Sequence, residues 1–359
     1  MAARKVRTGL GVRIGLIAGS VLFALLMLEL GCRVARGGDA LWVWKNYVLA
    51  ERISMASQNT GSRFSADPVL GYVQRAGFTS HGITYDADGF RVMPPIPADA
   101  SVGPPIVATG DSFTQGDEAA DNEAWPAVLQ DLLKRRTINA GVAAYGIDQT
   151  VLRTEQLAKK LKPALLVVGF IADDLRRAEM SRTWGAPKPY FELVNGELAL
   201  RNVPVPAPPD PRTTLDFWQR AFGWSIALDT FLTMKGWRYE WVVDHLRATP
   251  PGTGEKLACP LMKRLASLGI PTVVVAQYDF YVWVDREFGA EQHRQAETVL
   301  ACARQAGLAT VDTYDATEKA VKSRGLRTVY GAWHPSAMGY RLIAELIAAE
   351  VEKRRMLPK

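Results

Sequence analysis

The 359-residue sequence contains only three cysteines and four histidines. They form no Cys-x-x-Cys or His-Glu-x-x-His pattern, so we expect neither a metal site nor a cofactor. Cys32 lies in or beside an apolar segment. Cys259 and Cys302 fall in helix-like segments, and their spacing is compatible with a disulfide or with two separate buried thiols.

A concentrated basic surface is also missing. The net charge is +6 and the pI is about 9.2, but the basic residues are scattered apart from three short clusters, at 134–136, 176–177 and 353–355. Such clusters are typical of helix ends and solvated faces rather than of a phosphate-binding stripe. We therefore expect no nucleic-acid partner.

One long apolar run is present near the N-terminus. Ile14–Leu28 carries no charge, Glu29 follows it, and four cations precede it: Arg4, Lys5, Arg7 and Arg13. Residues 12–32 are long enough to cross a bilayer. The preceding cations predict a cytoplasmic N-terminus, hence a single-pass anchor in the cytoplasmic (inner) membrane with the remaining chain outside the cytoplasm. In a diderm bacterium that compartment is the periplasm.

Other interpretations of this run remain open. A cleaved signal peptide would need a small-residue cleavage site, and no Ala-x-Ala-like site stands out. A lipoprotein signal ending at Cys32 would have an apolar residue where Glu29 stands. A buried helix of a soluble protein would have to explain the flanking cations.

The sequence divides into four regions. We predict a basic tip and anchor at 1–36, a juxtamembrane segment at 37–65, a small β-rich lead-in with a proline-rich linker at 66–105, and a main domain at 106–354. The main domain is interrupted by an insertion at about 176–252. It holds a hairpin across Asn195-Gly196 and an aromatic helical stretch, and we expect it to cover the sheet edge or a substrate cleft.

The main domain alternates strands with helices. Apolar runs predict strands at 106–110, 138–141, 164–170, 271–276 and 309–312, and amphipathic segments predict helices at 123–136, 148–161, 255–268, 290–306 and 336–354. This alternation predicts an α/β fold with a parallel sheet covered on both faces.

Two residues stand where such a sheet binds ligands. Ser112 follows the first strand in a sharp turn, and His334 lies in a loop after the last strand. Because the carboxyl ends of parallel strands share one edge of the sheet, the two side chains can meet despite their separation in sequence. A serine beside a histidine base is the arrangement of nucleophilic acyl chemistry.

The order of the motifs resembles the SGNH (GDSL-like) hydrolases. Gly110–Gly116 is similar to the block that carries the nucleophile, and Asn139–Gly146 to the block whose glycine, here Gly141, lines the oxyanion hole. Gly169–Leu175 stands in the place of the third block, and His334–Gly339 is similar to the block that carries the base. The resemblance implies a flavodoxin-like three-layer αβα sandwich and hydrolysis or transfer of acyl esters.

The sequence departs from the family pattern twice. Asp173 stands where the family has an asparagine that donates to the oxyanion, and it could donate only if burial kept it protonated. Gly331 and Ala332 stand where the family has an aspartate that orients the histidine. The orienting acceptor of His334 is then Asp312, Asp315, a backbone carbonyl or nothing.

Two functions follow. The first is a membrane-anchored extracytoplasmic esterase or acyltransferase. In it Ser112 attacks an acyl carbon, His334 moves the proton, and the amides of Ser112 and Gly141 bind the oxyanion. The substrate is an O-acyl ester such as an O-acetylated envelope glycan. The second is a catalytically impaired descendant that serves as a binding or assembly module in envelope polysaccharide metabolism.

Overall fold

The computed structural model describes residues 9–61, 63–80 and 82–357, with the backbone alone for 58–61. His81 and the basic residues Arg4, Lys5 and Arg7 lie outside these ranges. The chain forms two compact units. Unit 1 combines the described part of Met1–Ala56 with Pro209–Asp244, and unit 2 combines Ser57–Pro208 with the described part of His245–Lys359.

The strands of the described residues all lie in unit 2. In chain order they are β1 (Phe64–Asp67), β2 (Gly71–Gln74), β3 (Thr79–Ser80), β4 (Ile83–Thr84), β5 (Ser101–Thr109), β6 (Arg135–Asn139), β7 (Leu165–Phe170), β8 (Met180–Thr183), β9 (Ala186–Pro187), β10 (Tyr190–Val194), β11 (Glu197–Arg201), β12 (Leu246–Arg247), β13 (Thr272–Ala276) and β14 (Ala309–Asp312).

Helices occur in both units. In chain order they are α1 (Leu10–Arg36), α2 (Tyr47–Gly61), α3 (Ser112–Gln115), α4 (Trp125–Leu133), α5 (Ile147–Leu161), α6 (Asp173–Arg177), α7 (Phe217–Phe222), α8 (Ile226–Met234), α9 (Arg238–Val242), α10 (Thr253–Ala266), α11 (Arg286–Gln305), α12 (Tyr314–Arg324), α13 (Leu326–Val329) and α14 (Ala337–Arg354). Two short 3₁₀ helices, Gly38–Leu41 and Phe280–Trp283, complete the regular structure.

A five-stranded parallel sheet organises unit 2. Its strand order is β14-β13-β7-β5-β6, with Val107 opposite Leu166 and Val275 opposite Gly169 in the register. The chain therefore leaves β5 to form one edge and then crosses back to build the other. A change of direction of this kind places a ligand site at the carboxyl ends of the central strands.

Both faces of the sheet are buried, which explains the uninterrupted apolar runs in its strands. Val168 and Val274 pack with α5, α10 and α11 on one face. Val167 and Val273 pack with α4 and α14 on the other. Adjacent strand residues thus enter different cores, and the result is the predicted three-layer αβα sandwich.

Three expectations need comment. The predicted linker is shorter than expected, because β5 already begins at Ser101 and carries Pro104 and Pro105 across an irregularity in its pairing with β6. The predicted insertion is divided, with 209–244 in unit 1 and the remainder in unit 2. Cys259 and Cys302 form a disulfide that joins α10 to α11, while Cys32 is free.

Unit 1 is built around α1, the one helix among the described residues that is long and apolar enough to cross a membrane. Its small core contains Tyr47, Val48, Leu215 and Val242. Buried Arg52 connects the two chain segments of this unit, because it donates to the carbonyl oxygens of Val242 and Thr214. Residues 209–244 are therefore packed as part of the unit that contains α1.

Candidate active site

Ser112 lies at the carboxyl end of β5, where the chain turns sharply into α3. Gly110 has a φ of +157°, and a Cβ there would lie 2.7 Å from the carbonyl oxygen of Gly169 in β7. Only glycine fits this turn. Asp111 then caps α3, because its carboxylate accepts the N–H of Phe113 at 3.0 Å. The sequence therefore presents the serine at the ligand-binding edge of the sheet.

His334 contacts this serine directly. It lies in the loop between α13 and α14, and its Nε2 is 2.9 Å from the Oγ of Ser112. The imidazole packs against the ring of Phe113, with the ring centroids 4.8 Å apart. Two loops that are distant in sequence thus meet at one edge of the sheet.

A third residue completes a hydrogen-bonded series. The Nδ1 of His334 lies 3.0 Å from Oε1 of Glu118. An ionised carboxylate can only accept, so Nδ1–H donates to Glu118, and Nε2 is left to accept the hydroxyl proton of Ser112. Acid, base and nucleophile are therefore arranged as in a catalytic triad. The sequence analysis missed Glu118.

The Glu118 carboxylate is fixed by further donors. Oε2 accepts the backbone N–H of Ala332 at 2.6 Å, and both oxygens lie near the N–H of Trp333, at 3.1 and 3.2 Å. Burial alone would raise the pKa of Glu118, but the hydrogen bonds from His334 and from the N–H of Trp333 lower it to about 2. The Glu118 carboxylate is therefore ionised at neutral pH, and its two oxygens accept hydrogen bonds from Ala332, Trp333 and His334.

The backbone that carries Glu118 is held in a strained conformation. Its φ is +65°, a left-handed value that costs a non-glycine residue about 1–3 kcal/mol and is concentrated at functional sites. Arg91, which is buried, stabilises this loop. Its guanidinium donates to the carbonyl oxygens of Gln115, Gly116 and Ala119 at 2.5–2.6 Å.

Gly141, which the family resemblance assigns to the oxyanion hole, has an acceptor for its amide in the structure. Its N–H donates to Oδ1 of Asn139 at 3.1 Å, and its carbonyl oxygen accepts from Gln74. A Cβ at this position would clash with the backbone of Thr114 and Gln115. The glycine therefore permits close packing against the turn that carries the nucleophile, and its amide is not free to bind an oxyanion.

Near the nucleophile, the backbone N–H groups of Ser112 and Ala144 are among those without an acceptor in the described part of the chain. Ala144 belongs to a loop that lies beside α3, because the neighbouring Ala143 donates its N–H to the side chain of Gln115 at 3.0 Å. A φ of +66° at Ala144 is again a left-handed value at a residue other than glycine. These two amides are the candidate oxyanion donors.

The fold and this geometry agree with the family comparison. A family model described as GDSL-like Lipase/Acylhydrolase matches residues 108–342, about two-thirds of the chain. The chain belongs to this family. It is an SGNH-type ester hydrolase, as the order of the sequence blocks predicted.

Solved structures with similar folds include esterases. The α/β hydrolase enzyme LAE5 from the metagenome of Lake Arreo, Spain, is 16% identical with a TM-score of 0.44, and the match covers 70% of this chain and 96% of that one. Axe2, an acetylxylan esterase from Geobacillus stearothermophilus, is 14% identical with a TM-score of 0.42, over 70% and 95% of the two chains. No curated protein matches the sequence.

The family departure before His334 has a structural explanation. Gly331 stands where SGNH hydrolases have the orienting aspartate, and a Cβ on Gly331 would lie 2.6 Å from Oε2 of Glu118. The glutamate carboxylate thus occupies the room that a side chain at 331 would fill. In this chain the carboxylate beside His334 comes from the loop that follows Ser112.

Protonation of Asp173 does not explain why an aspartate stands in place of the family asparagine in the third block. Asp173 accepts from Arg176 at 2.6 Å and from Arg177 at 2.9 Å. Burial would raise the pKa of Asp173, but the charges of Arg177 and Arg176 outweigh it and lower the pKa to about 2. An ionised carboxylate cannot donate to an oxyanion, so Asp173 does not replace the family asparagine as a donor.

Arg177 contacts residues of the first three sequence blocks. It donates to Asp174 at 2.7 Å, to Asp111 at 3.3 Å and to the carbonyl oxygen of Tyr145 at 3.2 Å. Burial raises the pKa of Asp111, and burial together with the nearby Asp111 raises the pKa of Asp174 well above its usual value. One buried cation therefore connects the first, second and third blocks.

The other predicted orienters do not reach His334. Asp312 accepts from the hydroxyl of Tyr278 at 2.8 Å and lies 3.2 Å from Nε2 of His293. Asp315 is exposed in the first turn of α12. In the structure the carboxylate that contacts Nδ1 of His334 belongs to Glu118, which is close in sequence to Ser112 rather than to His334.

A cavity of about 690 Å³ adjoins the loop of Ala144. Its walls are mainly apolar, with aromatic and proline side chains and a few polar groups. They are formed by residues 63–68, Gly71, Tyr72, Ala143, Ala144, Thr183, Trp184, Ala186, Pro187 and residues 205–208. Part of the predicted insertion therefore lines a cleft in unit 2.

Glu118→Gln should lower kcat by about 10²- to 10⁴-fold, as expected when an acid that orients a catalytic histidine becomes neutral. Glutamine also brings an N–H₂ group toward donors that now face a carboxylate. Hydrolysis of p-nitrophenyl acetate measures the effect, with Glu123→Gln on the same loop as the control. Wild-type kcat in the Glu118 variant would contradict the assignment.

The relation between Glu118 and Gly331 gives a rescue experiment. Glu118→Ala should be nearly inactive, and adding Gly331→Asp should recover part of the lost kcat because the new carboxylate enters the vacated space. Gly331→Asp alone should lower activity, since the two carboxylates would compete for one site. A double variant no better than Glu118→Ala would mean that this space does not accept the acid from position 331.

Asp173→Asn should destabilise the protein rather than raise its activity. The carboxylate has a folded pKa below the usual value, so its contribution to stability is complete above pH 4 and is lost as the pH falls toward 2. Thermal unfolding in detergent should show a melting temperature lower by about 2–4 °C at pH 6, with a smaller difference at pH 3. Asp315→Asn is the matched control. An increase in the esterase activity of Asp173→Asn would contradict this prediction and would indicate that residue 173 lies at the oxyanion site.

Proposed function

We propose that this protein is a membrane-anchored, extracytoplasmic serine esterase or acyltransferase. Ser112 is the nucleophile, His334 the general base and acid, and Glu118 the residue that orients the histidine. The proposal extends the ester hydrolase chemistry of the family to particular residues, a location and a substrate class.

In the first half-reaction the Ser112 oxygen attacks the acyl carbon while its proton passes to Nε2 of His334. Glu118 stabilises the resulting imidazolium through the bond to Nδ1–H. The amides of Ser112 and Ala144 receive the negative charge that develops on the carbonyl oxygen. The imidazolium then gives its proton to the departing alcohol oxygen, and an acyl-serine ester remains.

In the second half-reaction an incoming hydroxyl group attacks the acyl-serine. His334 takes the proton of that hydroxyl and returns it to the Ser112 oxygen as the serine leaves. With water as the acceptor the reaction is hydrolysis, and with the hydroxyl of another molecule it is acyl transfer.

The observation that carries the proposal is the unbroken series from Glu118 through His334 to Ser112, with separations of 3.0 and 2.9 Å. A binding module that had lost catalysis would have no need for an ionised carboxylate on the far side of the histidine. The strained backbone at Glu118 supports the same conclusion. We therefore favour catalysis over the assembly-module alternative.

The cavity does not include Ser112 or His334 in its lining, but it borders the loop of Ala144 and could hold the part of a substrate beyond the reacting ester. A site for a free acetate ester alone would need little room, whereas about 690 Å³ is within the range of pockets that hold a drug-sized ligand. Trp184, Tyr72 and Phe64 offer flat apolar faces against which a sugar or an acyl chain can pack. An O-acylated envelope glycan satisfies these requirements and agrees with an extracytoplasmic location.

The contacts of α1 support an uncleaved anchor. Glu29 and Arg33 lie in this helix yet are buried, with Glu29 bonded to Ser225 and to the N–H groups of Ile226 and Ala227. Arg33 donates to the carbonyl oxygen of Trp224 at 2.8 Å. A signal peptidase would remove side chains that hold unit 1 together.

The disulfide supports the location outside the cytoplasm. Cys259 and Cys302 are paired, and such bonds persist in oxidising compartments such as the periplasm but are rare in the cytosol.

A fluorophosphonate probe tests the nucleophile and the base. The wild type should be labelled, Ser112→Ala should give no label, and His334→Ala should label much more slowly because the serine has lost its base. Ser323→Ala, an exposed serine of α12, serves as the control and should label like the wild type. Equal labelling of wild type and Ser112→Ala would contradict the assignment.

Alkaline carbonate extraction tests the anchor. The full-length chain should remain with the membrane pellet, because about 20 apolar residues resist extraction. A double variant with arginine at Leu22 and Leu25 should be released or degraded. Recovery of a soluble wild-type chain shortened at its N-terminus would identify α1 as a cleaved signal.

A further inference from the structure

Within unit 1, α7, α8 and α9 expose an unusual number of large apolar side chains. We call Phe217, Trp218, Phe222, Phe231, Met234 and Trp237 the aromatic surface. Met234 is 81% exposed and Phe217 is 71% exposed. Ring contacts join Phe217, Trp218 and Phe222, and a separate contact joins Phe231 to Trp237. Clusters of exposed apolar side chains of this size are uncommon on the surface of a soluble protein and mark a contact with a partner or a membrane.

The start of α8 is fixed to a particular level of α1. The Glu29 carboxylate accepts the N–H groups of Ile226 and Ala227, each at 3.0 Å, and the hydroxyl of Ser225 at 2.8 Å. These are the first donors of α8, so a side chain of one helix caps the N-terminus of the other. A second link joins Arg36 to Asp229 at 2.5 Å.

If α1 spans a bilayer as proposed, this level of the helix falls near the outer boundary of the hydrocarbon core. Ile14–Leu28, the uncharged part of α1, gives about 22 Å of helix at 1.5 Å per residue, and the long side chain of Arg13 can extend toward the opposite boundary. The hydrocarbon core of a bilayer is about 30 Å thick. With α1 spanning the core, Glu29 and the beginning of α8 lie at the outer boundary, in the interfacial region.

The chemistry of the exposed side chains fits the same region. Tryptophan and other aromatic side chains are enriched at membrane interfaces, where one part of the ring is apolar and another remains near water. Trp42 and Trp44, which follow α1 directly, are also exposed, and the Trp44 ring lies against Arg33 and Trp224. Two tryptophans, Trp44 and Trp224, therefore lie beside Arg33 near the end of α1.

We propose that the aromatic surface of residues 209–244 is immersed in the outer interfacial layer of the bilayer that α1 spans. This inference rests on the proposed anchoring of α1. Residues 209–244 carry five acidic and four basic side chains, a net charge of −1, so apolar burial rather than attraction to anionic lipids drives the contact.

The test uses the full-length protein in phosphatidylcholine vesicles. In a Cys32→Ser background, single cysteines at Met234 or Phe217 are labelled with the environment-sensitive dye NBD under non-reducing conditions. Leu22→Cys within α1 is the membrane reference, and Val102→Cys, fully exposed in unit 2, is the aqueous reference.

NBD at Met234→Cys or Phe217→Cys should show blue-shifted emission, and doxyl lipids should quench its fluorescence. Both the shift and the quenching should lie between those of the labels at 22 and 102. Adding phosphatidylglycerol should change neither result. Labels that behave like the one at 102 would overturn the inference. A blue shift without lipid quenching would also overturn it, because a second copy of the chain would then cover the surface.

The readouts separate this inference from the proposed function. An unquenched label at Leu22 would mean that α1 does not span the bilayer, and the anchoring proposal itself would fail. Fluorophosphonate labelling of Ser112 in the same vesicles reports catalysis independently of both outcomes.

Discussion

The hydrogen bond between Glu118 and His334 is the interaction on which the candidate site depends. It fixes which ring nitrogen carries the proton, and therefore which nitrogen can accept from Ser112. The carboxylate must be ionised to do so, and the backbone N–H groups of Ala332 and Trp333 keep it so. Because those amides belong to the loop of His334, the hydrogen bonds that fix the Glu118 carboxylate also fix the position of His334 relative to it.

The surrounding fold is arranged to present this pair with little freedom. Buried Arg91 donates hydrogen bonds to three carbonyl oxygens near Glu118. Arg177 binds the carboxylates of Asp111 in the first block and Asp174 in the third. Gly110 and Gly141 let β7 and the second block approach the serine turn more closely than any side chain would allow. Close packing and buried arginines therefore replace the flexibility expected of loops, which is the condition for a preorganised site.

Much of this was predictable from the sequence, and the failures have common physical causes. Apolar runs and their alternation with amphipathic segments predicted every strand of the central sheet, because strands buried on both faces leave a strong signal. Ser112 and His334 were found because sheet edges gather residues that are distant in sequence. Glu118 was missed because its role depends on a long-range contact. The sequence did contain one indication. Gly331 has no side chain at a position where the family pattern predicts an acid, and Glu118, six residues after Ser112, could have supplied the missing carboxylate.

The same limitation explains Glu29. As one carboxylate in an apolar run, it suggested only the end of a membrane span, whereas its partners are the amides of a helix nearly 200 residues later. Burying a charge is favourable only when it is paired and hydrogen-bonded, and α8 supplies what α1 lacks. The aromatic stretch, predicted to cover the sheet edge or a substrate cleft, belongs to the unit that contains the apolar helix. A charged residue inside an apolar segment therefore indicates that hydrogen-bonding partners lie elsewhere in the chain. This is more informative than its effect on the length of the membrane span.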